Sequence, residues 1–271
     1  MQFHIVLSFS SIFKLKSSPA QGCSAPTPKE KARLLAVSSE NALDFLYAVP
    51  ISSLGLKLAD SNLRIACALR LGSIICQQHT CPCGVEVDPL GRHGLLCKLQ
   101  VGRHPRHSQI NDIVKRALTT ADYPSRLEPT GLCRKDGKRP DGLTLFPYKH
   151  GKCLLWDVTC VDTLADSYIS LTSISPGTAA EKAEKAKILL YQELSKNYNF
   201  TPIAMETFGS WGKQGHNLVK EIGQKLCNIT GDKRSTFYLC QRISMAVQRE
   251  NSASVLGTVS SFSKLDEIFY L

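Results

Sequence analysis

No stretch of the chain approaches the ~20 consecutive apolar residues that a membrane-spanning helix needs, so no membrane is expected among its partners. The apolar opening Met1–Phe13 lacks a basic leading region and is interrupted by His4 and by serines, which argues against a secretory signal. Regular disulfide spacing is missing as well. Eleven cysteines, an odd number in 271 residues, point to a reducing compartment, nucleus or cytoplasm, and away from secretion. There is no internal repeat, and acids are scarce: 23 against 33 lysines and arginines, for a formal net charge of +10. That balance favours nucleic acid or another anionic surface as partner.

What is present suffices for a folded protein, since 43% of residues are apolar. Residues 1–27, rich in serine and proline before Pro28, read as a linker, and 28–75 as a helical lead-in, with Leu34, Leu35, Leu43, Phe45 and Leu46 followed by a helix capped at Ser61. Residues 76–104 hold Cys81, Cys83, His93 and Cys97. From 105 to 257 the pattern is a helix over 107–121, strands over 126–128, 143–146 and 153–161, a helix over 178–196, a strand over 202–207, then helices over 216–227 and 235–249. This order predicts an α/β layered core. Residues 258–271 read as a tail.

Two carboxylates stand out. Asp157 lies inside the apolar run Leu154-Leu155-Trp156-Asp157-Val158-Thr159-Cys160, where an ionised acid is costly without a cation or donors beside it. The other reading is an aspartate at a frayed strand end. Asp141, after Arg139-Pro140, begins the preceding strand, and alone Pro-Asp-Gly is an ordinary turn. Acids from adjacent strands can hold a divalent cation against a phosphate.

On the 178–196 helix, Ala183, Leu190, Tyr191 and Leu194 share a face with Lys187, which directs that lysine inward to orient water or steady phosphate charge, or else leaves it snorkelling at the edge. Glu181 and Glu184 read as solvated partners of Lys182 and Lys185.

Taken in order, the Cys-Cys-His-Cys segment, Arg106-His107, Lys115-Arg116, Glu128-Pro129, Arg139-Pro140-Asp141, Asp157-Val158-Thr159 and Lys187-Ile188-Leu189-Leu190-Tyr191 resemble the PD-(D/E)XK restriction-like endonucleases. More closely, they are similar to the C-terminal endonuclease domain of site-specific non-LTR retrotransposons. The resemblance runs from about Cys81 to Leu256. It implies a restriction-endonuclease-like core, a four-stranded mixed sheet flanked by helices (αβββαβ), and metal-dependent DNA nicking. Asp141 and Asp157 would bind Mg²⁺ or Mn²⁺. Where the superfamily has lysine two residues after the second acid this chain has Thr159, and Lys187 takes that place from the following helix. Glu128 is either an outer carboxylate of the site or a structural acid beside Pro129.

Cys81, Cys83, His93 and Cys97 are similar to that family's zinc-binding or DNA-contacting segment, a zinc-knuckle-like element with ligands suited to tetrahedral Zn²⁺. The tight Cys-Pro-Cys spacing and the rivals Cys76 and His79 leave four unligated side chains as the alternative. Arg103, Arg106 and His107 precede a helix N-terminus, and with Lys115, Arg116 and Arg139 they are the candidate DNA-backbone contacts, or else a solvated basic face. Partners implied are DNA and possible element RNA. The adjacent aspartates of a reverse transcriptase occur nowhere in the chain, so polymerisation is not expected, and a truncated copy that binds nucleic acid without cutting it, or a zinc-held interaction module, is the competing expectation.

Overall fold

A computed structural model describes residues 25–133, 137–259 and 265–270. Most of the expected linker, and Arg134 and Lys135 of the basic stretch, lie outside the described residues.

Helix α1 (Pro28–Val37) starts as its sequence dictates: Thr27 and Glu30 form a capping box ahead of Pro28. A short helix α2 (Asp44–Tyr47), a 3₁₀ turn and α3 (Asp60–Leu71) complete the lead-in. Helix α3 begins at Asp60 behind Ala59, so the cap expected at Ser61 is not used. The Cys/His segment folds as a two-stranded hairpin, β1 (His79–Thr80) and β2 (Glu86–Val87), and a single turn α4 (His93–Leu96).

The central layer is a four-stranded mixed sheet in the order β3 (Ser125–Leu127), β4 (Gly142–Thr144), β5 (Leu154–Val161), β6 (Asn199–Glu206). The first three are antiparallel, while β5 and β6 are parallel, with Asp157 opposite Pro202. A parallel pair needs a crossover. Here it contains α6 (Ile169–Thr172) and α7 (Thr178–Leu190). Ahead of the sheet runs α5 (Arg103–Thr120), and after it α8 (Lys213–Thr230), α9 (Ser235–Leu256) and α10 (Leu265–Ile268).

Alternation along β5 decides what lies on each face. Leu154, Trp156 and Val158 join Ile203 and Met205 in a core closed by α5, α8 and α9. On the other face α7 lays Ala180 and Ala183 against Ala204, with Val161 alongside, and these small side chains let the helix come close to the sheet. The expected α/β core and strand order are therefore present.

Three expectations are corrected, the last two by long-range packing. The helix begun at Thr178 ends at Leu190, which is half-exposed, and resumes only as a 3₁₀ turn over Leu194–Lys196. Glu184 is not solvated: it is buried and accepts from the backbone N–H groups of Gln214 and Gly215, satisfying open donors in the first turn of α8. The expected tail is docked, because Phe269 is buried in a core with Cys81 and Cys97, and Tyr270 N–H donates to Ile75 C=O. Lead-in and core are joined in a similar way. The fully buried Arg70 of α3 donates to Gln248 of α9 and to the carbonyls of Ala42 and Phe208.

Candidate functional site

Asp157 is the fourth residue of an eight-residue strand, paired along its whole length with β6 and 3% exposed, which removes the frayed-end reading. Its compensation comes from α7 and the turn after it. Lys187 Nζ lies 2.6 Å from Asp157 Oδ1, and the buried Tyr191 hydroxyl donates to Oδ2 at 2.7 Å. Lys187 thus points inward and is ion-paired.

Asp141 arrives from the neighbouring strand. Gly142 is registered opposite Trp156, and Asp141 N–H donates to Trp156 C=O. Asp141 Oδ2 accepts from Val158 N–H at 2.6 Å, which sets this carboxylate beside the peptide that follows Asp157. Burial, then the charge of Asp141, push the Asp157 carboxyl above its ordinary range, while Lys187 and Tyr191 oppose the shift.

His107 completes the group. Its Nε2 is 2.9 Å from the same Asp141 oxygen, and this hydrogen bond raises the imidazole pKa against the opposing effect of burial. Asn111, one turn along α5, approaches His107 at 3.4 Å and accepts from the Trp156 indole N–H at 2.9 Å. The arrangement is therefore a chain: Trp156–Asn111–His107–Asp141 on one side, Asp157–Lys187–Tyr191 on the other. His107 was expected as a phosphate contact, and it is placed as the partner of Asp141. Asn111 was not anticipated; its signal was its position four residues after His107, on the same helical face.

Other expected residues fall elsewhere. Glu128 is an exposed ion-pair partner of Arg139, with a left-handed backbone at φ 49°, so its carboxylate belongs to Arg139 rather than to the acid pair. The helix expected from 107 begins at Arg103, placing Arg103, Arg106 and His107 in its first turns rather than ahead of it. Arg106 is a correction: it is 3% exposed and bonded to Asn251 and Gln100, so it has no free guanidinium for a phosphate. Arg103 and His107 share one side of α5. Arg116, nine residues after His107, is turned to the opposite side by helical geometry and pairs with Asp112 at 2.8 Å.

The Cys/His group is a second site. The ligand atoms of Cys81, Cys83, His93 and Cys97 all lie within 4.8 Å of one another, a group that can hold a metal ion. Cys81 Sγ and Cys97 Sγ are 3.7 Å apart, near the ~3.8 Å edge of a tetrahedron with Zn–S bonds of about 2.3 Å. The hairpin turn supplies two ligands, with Gly84 at φ 88° closing it, and α4 brings in the other two at its ends. The rivals are engaged elsewhere: Cys76 donates to the Asp88 carbonyl, and His79 bonds Gln77 C=O and the Thr258 hydroxyl. The ten cysteines among the described residues are all unbridged.

Fold and sites define a mixed α/β protein with a carboxylate–lysine centre and a separate Cys₃His group. No protein-family model matches the chain, and no curated protein matches it. No helix among the described residues is long and apolar enough to cross a membrane.

Proposed function

We propose that the chain is a metal-dependent DNA endonuclease of the restriction-like type, related to the nuclease domain of non-LTR retrotransposons, with a structural zinc in its Cys₃His group. The observation that carries this reading is the buried Asp157 on the central strand, bonded to Lys187 and set beside Asp141 from the adjacent strand.

A divalent cation fits this donor set. Desolvation and the charge of Asp141 both oppose ionisation of Asp157, and a cation between the carboxylates would relieve both. Asp141 and Asp157 would hold Mg²⁺ or Mn²⁺, which when bound supplies Lewis acidity and an acidified water. The protein's own groups have separate tasks. His107 holds Asp141 in place, Tyr191 fixes one Asp157 oxygen, and Lys187, paired with Asp157, would transfer to an incoming phosphate.

A second reading has its own support, because both Asp157 oxygens are already engaged by Lys187 and Tyr191. On that reading the protein binds nucleic acid without cutting it. Nicking of supercoiled plasmid in Mg²⁺ or Mn²⁺ separates the two. Endonuclease activity predicts nicking that Asp157→Ala abolishes. Nicking unchanged in Asp157→Ala would overturn the assignment, and salt-sensitive binding with no nicking would favour the second reading.

A further inference from the structure

The side of α5 turned away from His107 borders a cleft of about 910 Å³, closed by the connection after α2 and by α9. Three aliphatic side chains of that connection stand at it half-exposed, Val49 at 50%, Ile51 at 40% and Leu54 at 60%. Lys115, Arg116 and Arg242 also line it, against a single acid, Asp112, which already holds Arg116. Arg242 is partly buried, and among the described residues no hydrogen bond or salt bridge reaches it. Burial, and then the charge of Arg116, lower its pKa, while Asp112, already paired with Arg116, opposes the shift.

We infer that this cleft docks an acidic amphipathic helix of a partner protein. Apolar side chains one turn apart would seat on Val49, Ile51 and Leu54, while carboxylates would pair with Arg242 and Lys115. Exposed aliphatic side chains beside unmatched cations suit such a segment better than other occupants. Single-stranded nucleic acid gains most from aromatic stacking, and the one aromatic ring in the lining, Tyr238, has Arg234 over it at 5.3 Å. Residues 1–24 of the chain carry Lys14 and Lys16 and no acid, the wrong sign for this lining.

The test is fluorescence anisotropy on the full chain with a labelled ~16-residue helical peptide, leucine at every third or fourth position and glutamate elsewhere. The glutamate peptide is expected to bind, and Arg242→Gln and Leu54→Asp are each expected to weaken it ~10-fold or more. Asp157→Asn should leave it unchanged, which keeps the outcome separate from that of the nuclease assay. Arg242→Glu should shift preference toward a lysine-substituted peptide, an effect that misfolding would not produce. Four results would overturn the proposal: no binding of the glutamate peptide, equal binding of the lysine peptide to the unmodified protein, displacement by oligothymidine, or a concentration-dependent doubling of mass that Leu54→Asp abolishes.

Discussion

Lys187 Nζ meets Asp157 Oδ1 at 2.6 Å, and Tyr191, one turn further along the chain, donates to the other oxygen. With the lysine side chain 27% exposed and the aspartate 5%, removing one partner strands the other in a poorly solvated place. Lys187→Ala should therefore cost about 3 kcal/mol, and Tyr191→Phe about 1 kcal/mol. Asp157→Asn should cost less than Lys187→Ala, because burial and Asp141 already favour the neutral carboxyl. Urea midpoints at constant m-value measure all three, and the reverse order for the first and last would show that burial does not govern Asp157.

Glu206, at the end of β6, is 0% exposed, and burial pushes its carboxyl up to about 7 from an ordinary 4.5. One oxygen accepts from Ala179 N–H, and the other has no partner among the described residues. With the folded pKa above the unfolded one, the stabilisation is fully present below about 4.5 and is lost as pH rises through about 7. The whole shift corresponds to on the order of 3 kcal/mol. Asp44, pushed up to about 6, and Asp162 act in the same direction, so the difference between proteins is what matters. Glu206→Gln should lose less stability between pH 5 and pH 8 than the unmodified chain, and an identical loss in both would refute the assignment.

The acid pair was legible because its signal is local: an acid inside a continuous apolar run, with a second acid at the start of the preceding short strand. Lys187 was legible by helical spacing, and Tyr191, four residues on, came with it. What escaped depends on distant chain. Glu184, flanked by lysines, looks solvated until the N-terminus of α8 arrives above it. Arg106 looks like part of a basic surface until Asn251 of α9 covers it. Phe269 sits in what reads as a tail because its burial is created by the Cys/His segment.

Gly142 shows the same effect in one residue. In sequence it is the glycine of a Pro-Asp-Gly turn, yet its φ is not positive, and the constraint is the approach of Trp156, whose indole a Cβ here would penetrate. The indole is itself fixed by Asn111, so it cannot swing away cheaply. Gly142→Ala should cost about 3 kcal/mol by overpacking and reduce any nicking along with stability. A variant as stable as the parent would show that the β4–β5 approach is looser than described.

Zinc in the Cys₃His group would tie the β1–β2 hairpin to α4 and reinforce the core that Cys81 and Cys97 share with Phe269. Metal analysis of the purified chain should find one zinc, lost in His93→Ala. Because structural zinc binding is also folding free energy, a chelator should remove at least ~3 kcal/mol. At roughly 3 °C per kcal/mol for a chain of this size, the melting temperature should fall by about 10 °C. An unchanged melting temperature on metal removal would leave the four side chains as an unligated cluster.

Arg103 and Arg106 stand three residues apart in the first turns of α5, yet they should answer opposite questions. Arg103 is exposed on the side that leads to His107 and Asp141, whereas Arg106 is spent inside the protein on Asn251 and Gln100. If Arg103 contacts a phosphate, Arg103→Ala should weaken DNA binding evenly across sequences and reduce the salt slope by about 1, with stability nearly unchanged. Arg106→Ala should instead destabilise the fold by about 3 kcal/mol, because the Asn251 oxygen loses its donor and a packed side chain is removed. At a temperature where both variants remain folded, Arg106→Ala should keep the parent's salt slope, and a reduced slope would return Arg106 to the DNA surface from which burial excludes it.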